Sequence, residues 1–176
     1  MLNAVNELDQ MWSEMLSEAA AKARADNRHD VADYLDLKAS NDIVRNTGLS
    51  WLFQSLIEHA GTANRTGMQI AVERREPHSF TFLGANIVGA SLSFRYGVRC
   101  LTADAGWTRT PSDGFMRGGN LAIARLRHFG LPNSNVELAL TMELEAPVWR
   151  FFVEGKRGEA IDSGYLLSHV RLLIDG

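Results

Sequence analysis

The stretch NIVGASLSFRYGVRCLTADAGW, residues 86–107, decides the fold class of this chain. One strand-like run passes through Leu92 and Phe94, and a second follows from Val98 to Ala103. Apolar residues that share a face at a spacing of two are typical of β-strands. The glycines among these runs are typical of turns or bulges. Strands that follow one another without a helical crossover predict an antiparallel sheet.

Strand-like patterns continue on both sides of this stretch. Upstream, MQIAVERR at 68–75 and SFTFLG at 79–84 are two strand-like runs, and we interpret the EPH between them as a turn. Downstream, NVELALTMELE at 135–145 and VWRFFVEG at 148–155 are typical of two longer strands joined by a short turn. We therefore expect most strand pairs in this protein to be antiparallel.

Helical periodicity precedes the strands. Apolar residues recur every three or four positions across residues 2–25, which predicts an amphipathic helix. A second helix is predicted across 30–48, where Gly48 is expected to end it, and a third across 50–61. The polar segment GTANRTG then marks the change from helical to strand-like periodicity.

Two further helices complete the predicted fold. The run NLAIARLRHF at 120–129 predicts a helix inserted between strands, and SGYLLSHVRLLID at 163–175 predicts a closing helix. We expect an α+β fold with N-terminal helices, a mainly antiparallel sheet with one inserted helix, and a C-terminal helix. The length suits a single domain spanning 1–176. A helical subdomain at 1–61 beside a sheet-containing part at 66–176 stays open.

Composition and charge exclude several classes of protein. With 45% hydrophobic and 22% charged residues, the chain is too apolar for a disordered protein. The lone Cys100 cannot form an internal disulfide, and the N-terminal MLNAVNELDQMW lacks the basic start of a signal peptide, so we expect a cytoplasmic protein. No apolar run approaches the roughly 18 to 20 residues that a membrane span requires.

Familiar catalytic motifs are missing from the sequence. It contains no GxxxxGK[ST] phosphate loop, no GxGxxG after a strand and no GxSxG elbow. The five histidines are scattered without the spacing of metal ligands. We therefore expect neither a cofactor nor a metal, and a binding domain is favoured over an enzyme.

The segment GWTRTPSDGFMRGGN at 106–120 is the strongest candidate for a binding site. PSDG is typical of a tight turn, and GGN is expected to open the inserted helix, whose N-terminus would attract an anion. Arginines bind carboxylate or phosphate through paired hydrogen bonds. Trp107 could wall the pocket or anchor the loop to the core. Two alternatives stay open: an ordered surface loop whose arginines pair with acidic residues of the N-terminal helices, or a loop that contacts a protein partner. The predicted anion-binding residues are Trp107, Arg109, Arg117, Gly119 and Asn120.

Two other functions stay open. Glu154 and Lys156 follow an apolar strand, as in the E-x-K element of metal-dependent nucleases, and a hydrolase of this kind would need Asp104 or Asp113 nearby. The same segment, EGKRG, is also typical of a polar hairpin tip. The third function is a nucleic-acid-binding module, because all six basic residues of segment 91–130 are arginines. The net charge of −3 argues against it.

The pattern as a whole favours a cytoplasmic, non-enzymatic α+β domain that binds a small anionic ligand or a protein partner. Self-association is a further hypothesis, since Trp12 and Met15 are large apolar residues on the N-terminal helix. The alternative is that these side chains pack on their own domain. Nucleic acid and membrane are not expected as partners.

Overall fold

The computed structural model describes the backbone of residues 2–176 and the side chains of this range except those of 2–9, 111 and 117. Three α-helices and seven β-strands occupy the described range. In chain order they are α1 (Leu2–Ala25), α2 (His29–Arg65), β1 (Ala71–Phe82), β2 (Ala85–Tyr96), β3 (Arg99–Trp107), β4 (Ala122–His128), β5 (Val136–Glu143), β6 (Ala146–Val153), β7 (Lys156–Ala160) and α3 (Ser163–Asp175).

The strands form one sheet in the order β1 to β7, and every neighbouring pair is antiparallel. The predicted α+β class, with N-terminal helices, an antiparallel sheet and a C-terminal helix, is confirmed. The predicted bounds of α1 and α3 are also confirmed. Across the described residues, no helix is both long and apolar enough to cross a membrane.

The chain divides into two compact units, residues 1–44 and residues 45–176, and α2 runs through the boundary. The first unit contains α1 and the start of α2, and its described contacts include an ion pair between Arg24 and Asp36. The second unit contains the rest of α2, the whole sheet and α3. The single domain and the helical subdomain at 1–61 both stay predictions.

Within the second unit, α3 and the last turns of α2 pack on one face of the sheet. This helix-covered face is a continuous apolar core in which leucine and alanine predominate on both the helices and the strands. Its fully buried leucines are Leu52, Leu56, Leu92, Leu101, Leu126, Leu138, Leu140, Leu166 and Leu173. Burial of this size supplies the main driving force for folding.

Helix α2 continues through Gly48, so the predicted stop at that residue and the separate third helix are wrong. The Gly48 carbonyl accepts a 2.8 Å hydrogen bond from Trp149 Nε1. A Cβ atom at Gly48 would lie 2.6 Å from both Cδ atoms of the fully buried Leu140. The glycine is therefore explained by close packing of helix on sheet and not by helix termination.

Residues 122–128 form β4, so the inserted helix predicted at 120–129 is wrong. Ala124 and Leu126 lie in the helix-covered core, whereas Ile123 is buried on the opposite face. A strand buried on both faces loses the alternation of polar and apolar residues that would identify it. This explains why the apolar spacing in this segment also fits a helix.

The predicted EPH turn is also wrong, because these residues lie inside β1. The pairing of β1 with β2 shifts register between Arg75 and His78, around a cis peptide bond between Glu76 and Pro77. Proline has no N–H to donate to a neighbouring strand and is tolerated at such irregularities. The strand continues beyond the bulge and places His78 on the face that the helices do not cover.

The sheet is strongly curled, with the helix-free face on the inside. The rings of Phe82 on β1 and Phe152 on β6 lie 5.9 Å apart between centroids. In a flat sheet, these strands would be about 24 Å apart, because neighbouring strands are spaced by about 4.8 Å. We call this inner surface the concave face.

Two glycines in α2 allow a direct test of the helix–sheet packing. Gly48→Ala should lower the free energy of unfolding by about 1 to 3 kcal/mol, because the added Cβ would overlap the side chain of the fully buried Leu140 and force it to shift. Gly61→Ala is the control, since its Cβ would meet only Arg65 Nη1 at 3.7 Å, and it should be neutral or stabilise by up to about 1 kcal/mol. Urea denaturation measures both variants. Equal effects of the two substitutions would contradict the packing role of Gly48.

Candidate functional site

The predicted anion-binding loop is fixed by internal contacts at its start. Trp107, the last residue of β3, is buried in the helix-covered core. The Arg109 guanidinium carbon lies 3.6 Å from the centroid of the Trp107 ring. Trp107 therefore anchors the loop to the core, which is one of the two roles considered for it, and the arginine stacks on it as a cation–π pair.

Asp113 organises the middle of the loop. Its carboxylate accepts hydrogen bonds from Asn86 Nδ2 at 2.7 Å, from the Thr110 backbone N–H at 2.9 Å and from the Arg109 backbone N–H at 3.1 Å. The hydrogen bond from Asn86, followed by that from the Thr110 backbone, lowers the pKa of Asp113. These contacts give the aspartate a structural role in the turn.

The end of the loop lacks the helix start that was expected to bind an anion, because residues 117–119 form a single 3₁₀ turn before β4. Asn120 is buried, and its Oδ1 accepts a 2.7 Å hydrogen bond from Arg157 Nε. Arg157 also donates to the Gly118 carbonyl. The side chain of Arg117 lies outside the described residues. Arg157, which the sequence reasoning missed, is thus the cation that binds this part of the loop.

The four residues of the hydrolase hypothesis do not come together. Glu154 lies in the exposed turn between β6 and β7, and Lys156 is exposed at the start of β7. Asp113 lies in the loop after β3, where it accepts a hydrogen bond from Asn86, and Asp104 is buried within β3. Among the residues described, no group of three or more His, Cys, Asp or Glu side chains could hold a metal ion.

A cluster of charged and polar side chains occupies the middle of the concave face. At its centre is Asp104, which is fully buried. The carboxylate accepts hydrogen bonds from Ser91 Oγ at 2.7 Å and from Arg127 Nη2 at 2.5 Å, and His78 Nε2 lies 3.3 Å away. Since a buried carboxylate is costly unless it is paired, these partners are what make its position tolerable.

Arg125 lies beside Asp104 and spans the curled sheet. Its Nη2 is 3.7 Å from Asp104 Oδ2, and its Nη1 donates to the Thr81 carbonyl on β1 at 3.3 Å. The guanidinium carbon lies 4.4 Å from the centroid of the Phe80 ring. Burial, and then the nearby charge of Arg127, lowers the pKa of Arg125, while Asp104 opposes the shift. Its Nε is buried without a hydrogen-bond partner among the residues described.

The concave face differs at its two ends. Toward the β1–β2 turn it is closed by a small apolar cluster of Phe80, Phe82, Ala85, Ile87, Ile123, Ala139 and Phe152. Toward the β2–β3 turn it opens into a cavity of about 590 Å³. The side chains that define this open end are Arg95, Val98, Cys100, Thr102, Arg127, Phe129 and Asn135.

Arg95 and Arg127 bring two guanidinium groups to the open end. Arg127 is held by Asp104, so that its position is fixed before any ligand arrives. Arg95 is exposed and makes no hydrogen bond or ion pair with the side chains that the structure describes. The pKa of Glu73 is lowered by its hydrogen bond from Arg75 and, to a smaller degree, by the charge of Arg95. The open end is therefore suited to receive a negative charge.

Two other arginines of segment 91–130, Arg99 and Arg109, do not line the cavity. Arg99 Nη1 donates to the Ile174 carbonyl at 2.5 Å and so satisfies the last turn of α3. Arg109 lies on Trp107, in the loop after β3. The arginine-rich segment noticed in the sequence is thus divided among separate structural roles, and only some of its members face the cavity.

His128, which lines the cavity, forms a buried pair with His169 of α3. His128 Nε2 lies 2.8 Å from His169 Nδ1, and the two rings are stacked with centroids 5.1 Å apart. Burial lowers the pKa of both histidines, and the charge of His128 lowers that of His169 further, to about 4. Both histidines are therefore neutral at pH 7.

This pair makes the fold sensitive to acid. Below pH 6.5 the unfolded chain protonates these histidines, whereas His169 in the folded protein stays neutral until about pH 4. The free energy of unfolding should therefore fall by about 3 kcal/mol as the pH decreases from 6.5 to 4. In His169→Gln, which can still hydrogen-bond but does not titrate, this component should disappear. His29→Gln, at an exposed site, serves as the control. Identical pH dependence of the wild type and His169→Gln in urea denaturation would refute this role.

No protein-family model matches the chain, and comparisons with curated proteins and with solved structures also gave no match. We therefore base the functional assignment on the geometry of the concave face.

Proposed function

We propose that this protein is a binding domain for a small anionic ligand, which it holds at the open end of the concave face. One observation carries the proposal: Arg95 and Arg127 line the same cavity of about 590 Å³. Pockets for small molecules commonly have volumes of about 300 to 1,000 Å³. Because the lone Cys100 is compatible with a reducing compartment, we place this activity in the cytoplasm.

The arrangement of the two arginines supports recognition of carboxylate or phosphate. The guanidinium group offers several N–H donors in a rigid plane and can form paired hydrogen bonds with such anions. Asp104 occupies one edge of Arg127 and fixes the direction of the group. A receptor group that is positioned before binding loses less conformational entropy when the ligand arrives. The loop at 106–120 has weaker support as an anion site, because the side chains of Arg109 and Asn120 already contact other residues of the protein.

Substitution of Arg95 tests the proposal without disturbing the fold. Arg95→Gln should weaken binding of acetate, inorganic phosphate or octanoate, whichever binds the wild type, by about 10-fold or more, since a charge-assisted hydrogen bond is lost. The melting temperature should stay unchanged, because Arg95 makes no described hydrogen bond. Arg171→Gln, an exposed site on α3, should leave binding unchanged.

Isothermal titration calorimetry and thermal denaturation measure these two effects separately. The proposal is wrong if none of the three anions binds the wild type. It is also wrong if Arg95→Gln and Arg171→Gln weaken binding equally.

A second function, self-association through α1, is favoured by a separate observation. Trp12 is 46% exposed and Met15 is 58% exposed, and both lie near the exposed Met11 on the same helix. Exposed apolar patches of this kind often mark protein interfaces. The surrounding segment is acidic, so two copies would repel each other at low ionic strength. We propose that a second copy of the chain covers this surface.

Light scattering tests self-association directly. The wild type should have twice the chain mass of 19.5 kDa, and the dimer should strengthen as salt screens the acidic charges. Trp12→Ala should shift the mass toward that of a monomer because it removes the largest of the three exposed apolar side chains that form this surface. Leu144→Asn, which removes an exposed apolar side chain from the β5–β6 turn, is the control. A monomeric wild type at every salt concentration would contradict dimerisation and leave a different protein partner as the occupant of this surface.

A further inference from the structure

We infer that the ligand of the concave face is an amphiphilic carboxylate, in which a single negative charge is attached to an aliphatic or aromatic body. This inference rests on the proposed function and specifies the chemical class that the site selects. Three features of the open end carry it: an apolar rim, a small excess of positive charge, and neutral hydrogen-bonding groups beside the arginines.

The rim of the cavity is apolar and exposed. Val98 is 91% exposed in the β2–β3 turn, and Phe129 is 78% exposed after β4. Because β3 and β4 are neighbours, both side chains stand at the same end of the sheet and line the same cavity as Arg95 and Arg127. Single exposed apolar residues are common on proteins, but two at the mouth of one charged cavity favour an apolar ligand body.

The charged residues around the cavity leave one positive charge, which a ligand with a single negative charge would balance. Arg125 and Arg127 lie beside Asp104, and Arg125 also lies near Glu137, so these two carboxylates balance two arginines and leave the positive charge of Arg95 in the cavity lining. Elsewhere on the concave face, Glu73 pairs with Arg75 at 2.9 Å and Glu143 with Arg150 at 2.5 Å. Arg157 does not line the cavity and is bound by Asn120 and the Gly118 carbonyl. A carboxylate neutralises the remaining charge, whereas a doubly charged phosphate would exceed it.

Neutral polar groups are placed to complete the coordination of a carboxylate. Asn135 Oδ1 accepts a 2.9 Å hydrogen bond from the His128 backbone N–H, so its amide NH₂ is oriented to donate. The Thr102 hydroxyl also lines the cavity. Both groups can donate to an uncharged oxygen as well as to an anion, so they add donors without adding charge.

Calorimetric titration with four probes tests the ligand class: octanoate below its micelle concentration, acetate, octanamide and inorganic phosphate. Octanoate should bind at least 10-fold more tightly than acetate, because its chain covers the apolar rim, and at least 10-fold more tightly than octanamide, because the arginines require a charge. Phosphate should bind more weakly than octanoate. Phe129→Ser and Val98→Ser should each bring the affinity for octanoate toward that of acetate, while Leu144→Ser, an exposed site at the other end of the sheet, should not.

The possible failures are distinguishable. If phosphate or acetate binds as tightly as octanoate and Arg95→Gln weakens that binding, the anion site stands and the amphiphilic ligand class is overturned. If octanamide binds as tightly as octanoate, and Arg95→Gln has no effect, the site is an apolar surface and both proposals are wrong. Equal effects of Phe129→Ser and Leu144→Ser would also overturn the role of the rim.

Discussion

The close approach of β2 and β3 at two glycines is the constraint on which the rest of the sheet depends. A Cβ atom on Gly89 would lie 2.1 Å from the Ala105 carbonyl oxygen, and one on Gly106 would lie 2.6 Å from the Val88 carbonyl oxygen. The two glycines face each other in the pairing of the strands. No larger residue fits there without a shift of backbone, so only glycine allows the two strands to approach this closely. This close pairing lies within the curled sheet that brings β1 and β6 into contact across the concave face.

Curling gives the concave face three different environments. At one end, aromatic side chains from β1 and β6 meet and close the surface, so that water is excluded. In the middle, Asp104 is buried deeply enough that it must be compensated by hydrogen bonds and by arginines. At the other end, the arginines extend beyond the compensated carboxylate into an open cavity. The curl of the sheet thus creates the candidate site. The buried carboxylate of Asp104 holds one of the two arginines that a ligand in the cavity would contact.

The sequence predicted the helices and strands in which apolar residues recur at regular spacing on a single buried face. Helix α3 and the hairpin of β5 and β6 were predicted for this reason. Helix α1 was also predicted, but Trp12 and Met15 of its apolar pattern are exposed. Strand β4 was not predicted, because it is buried on both faces. The length of α2 was underestimated, because Gly48 is explained by packing against Leu140 and not by the end of a helix.

The arginine-rich segment was recognised in the sequence, but which of its arginines share a site depends on how the strands pair. Arg95 and Arg127 are far apart in sequence and line the same cavity only because β2, β3 and β4 are neighbours. Local patterns carry no information about such long-range pairing.

The location of the bound anion is the central claim, and NMR of the arginine side chains tests it most directly. During titration with octanoate, the Nε–Hε resonances of Arg95 and Arg127 should shift together and saturate at the same ligand concentration. Those of Arg109 on Trp107 and of Arg171 on α3 should stay in place. Shifts confined to the arginines of the loop at 106–120, or no shift at Arg95 and Arg127 when the ligand is saturating, would contradict an anion site on the concave face.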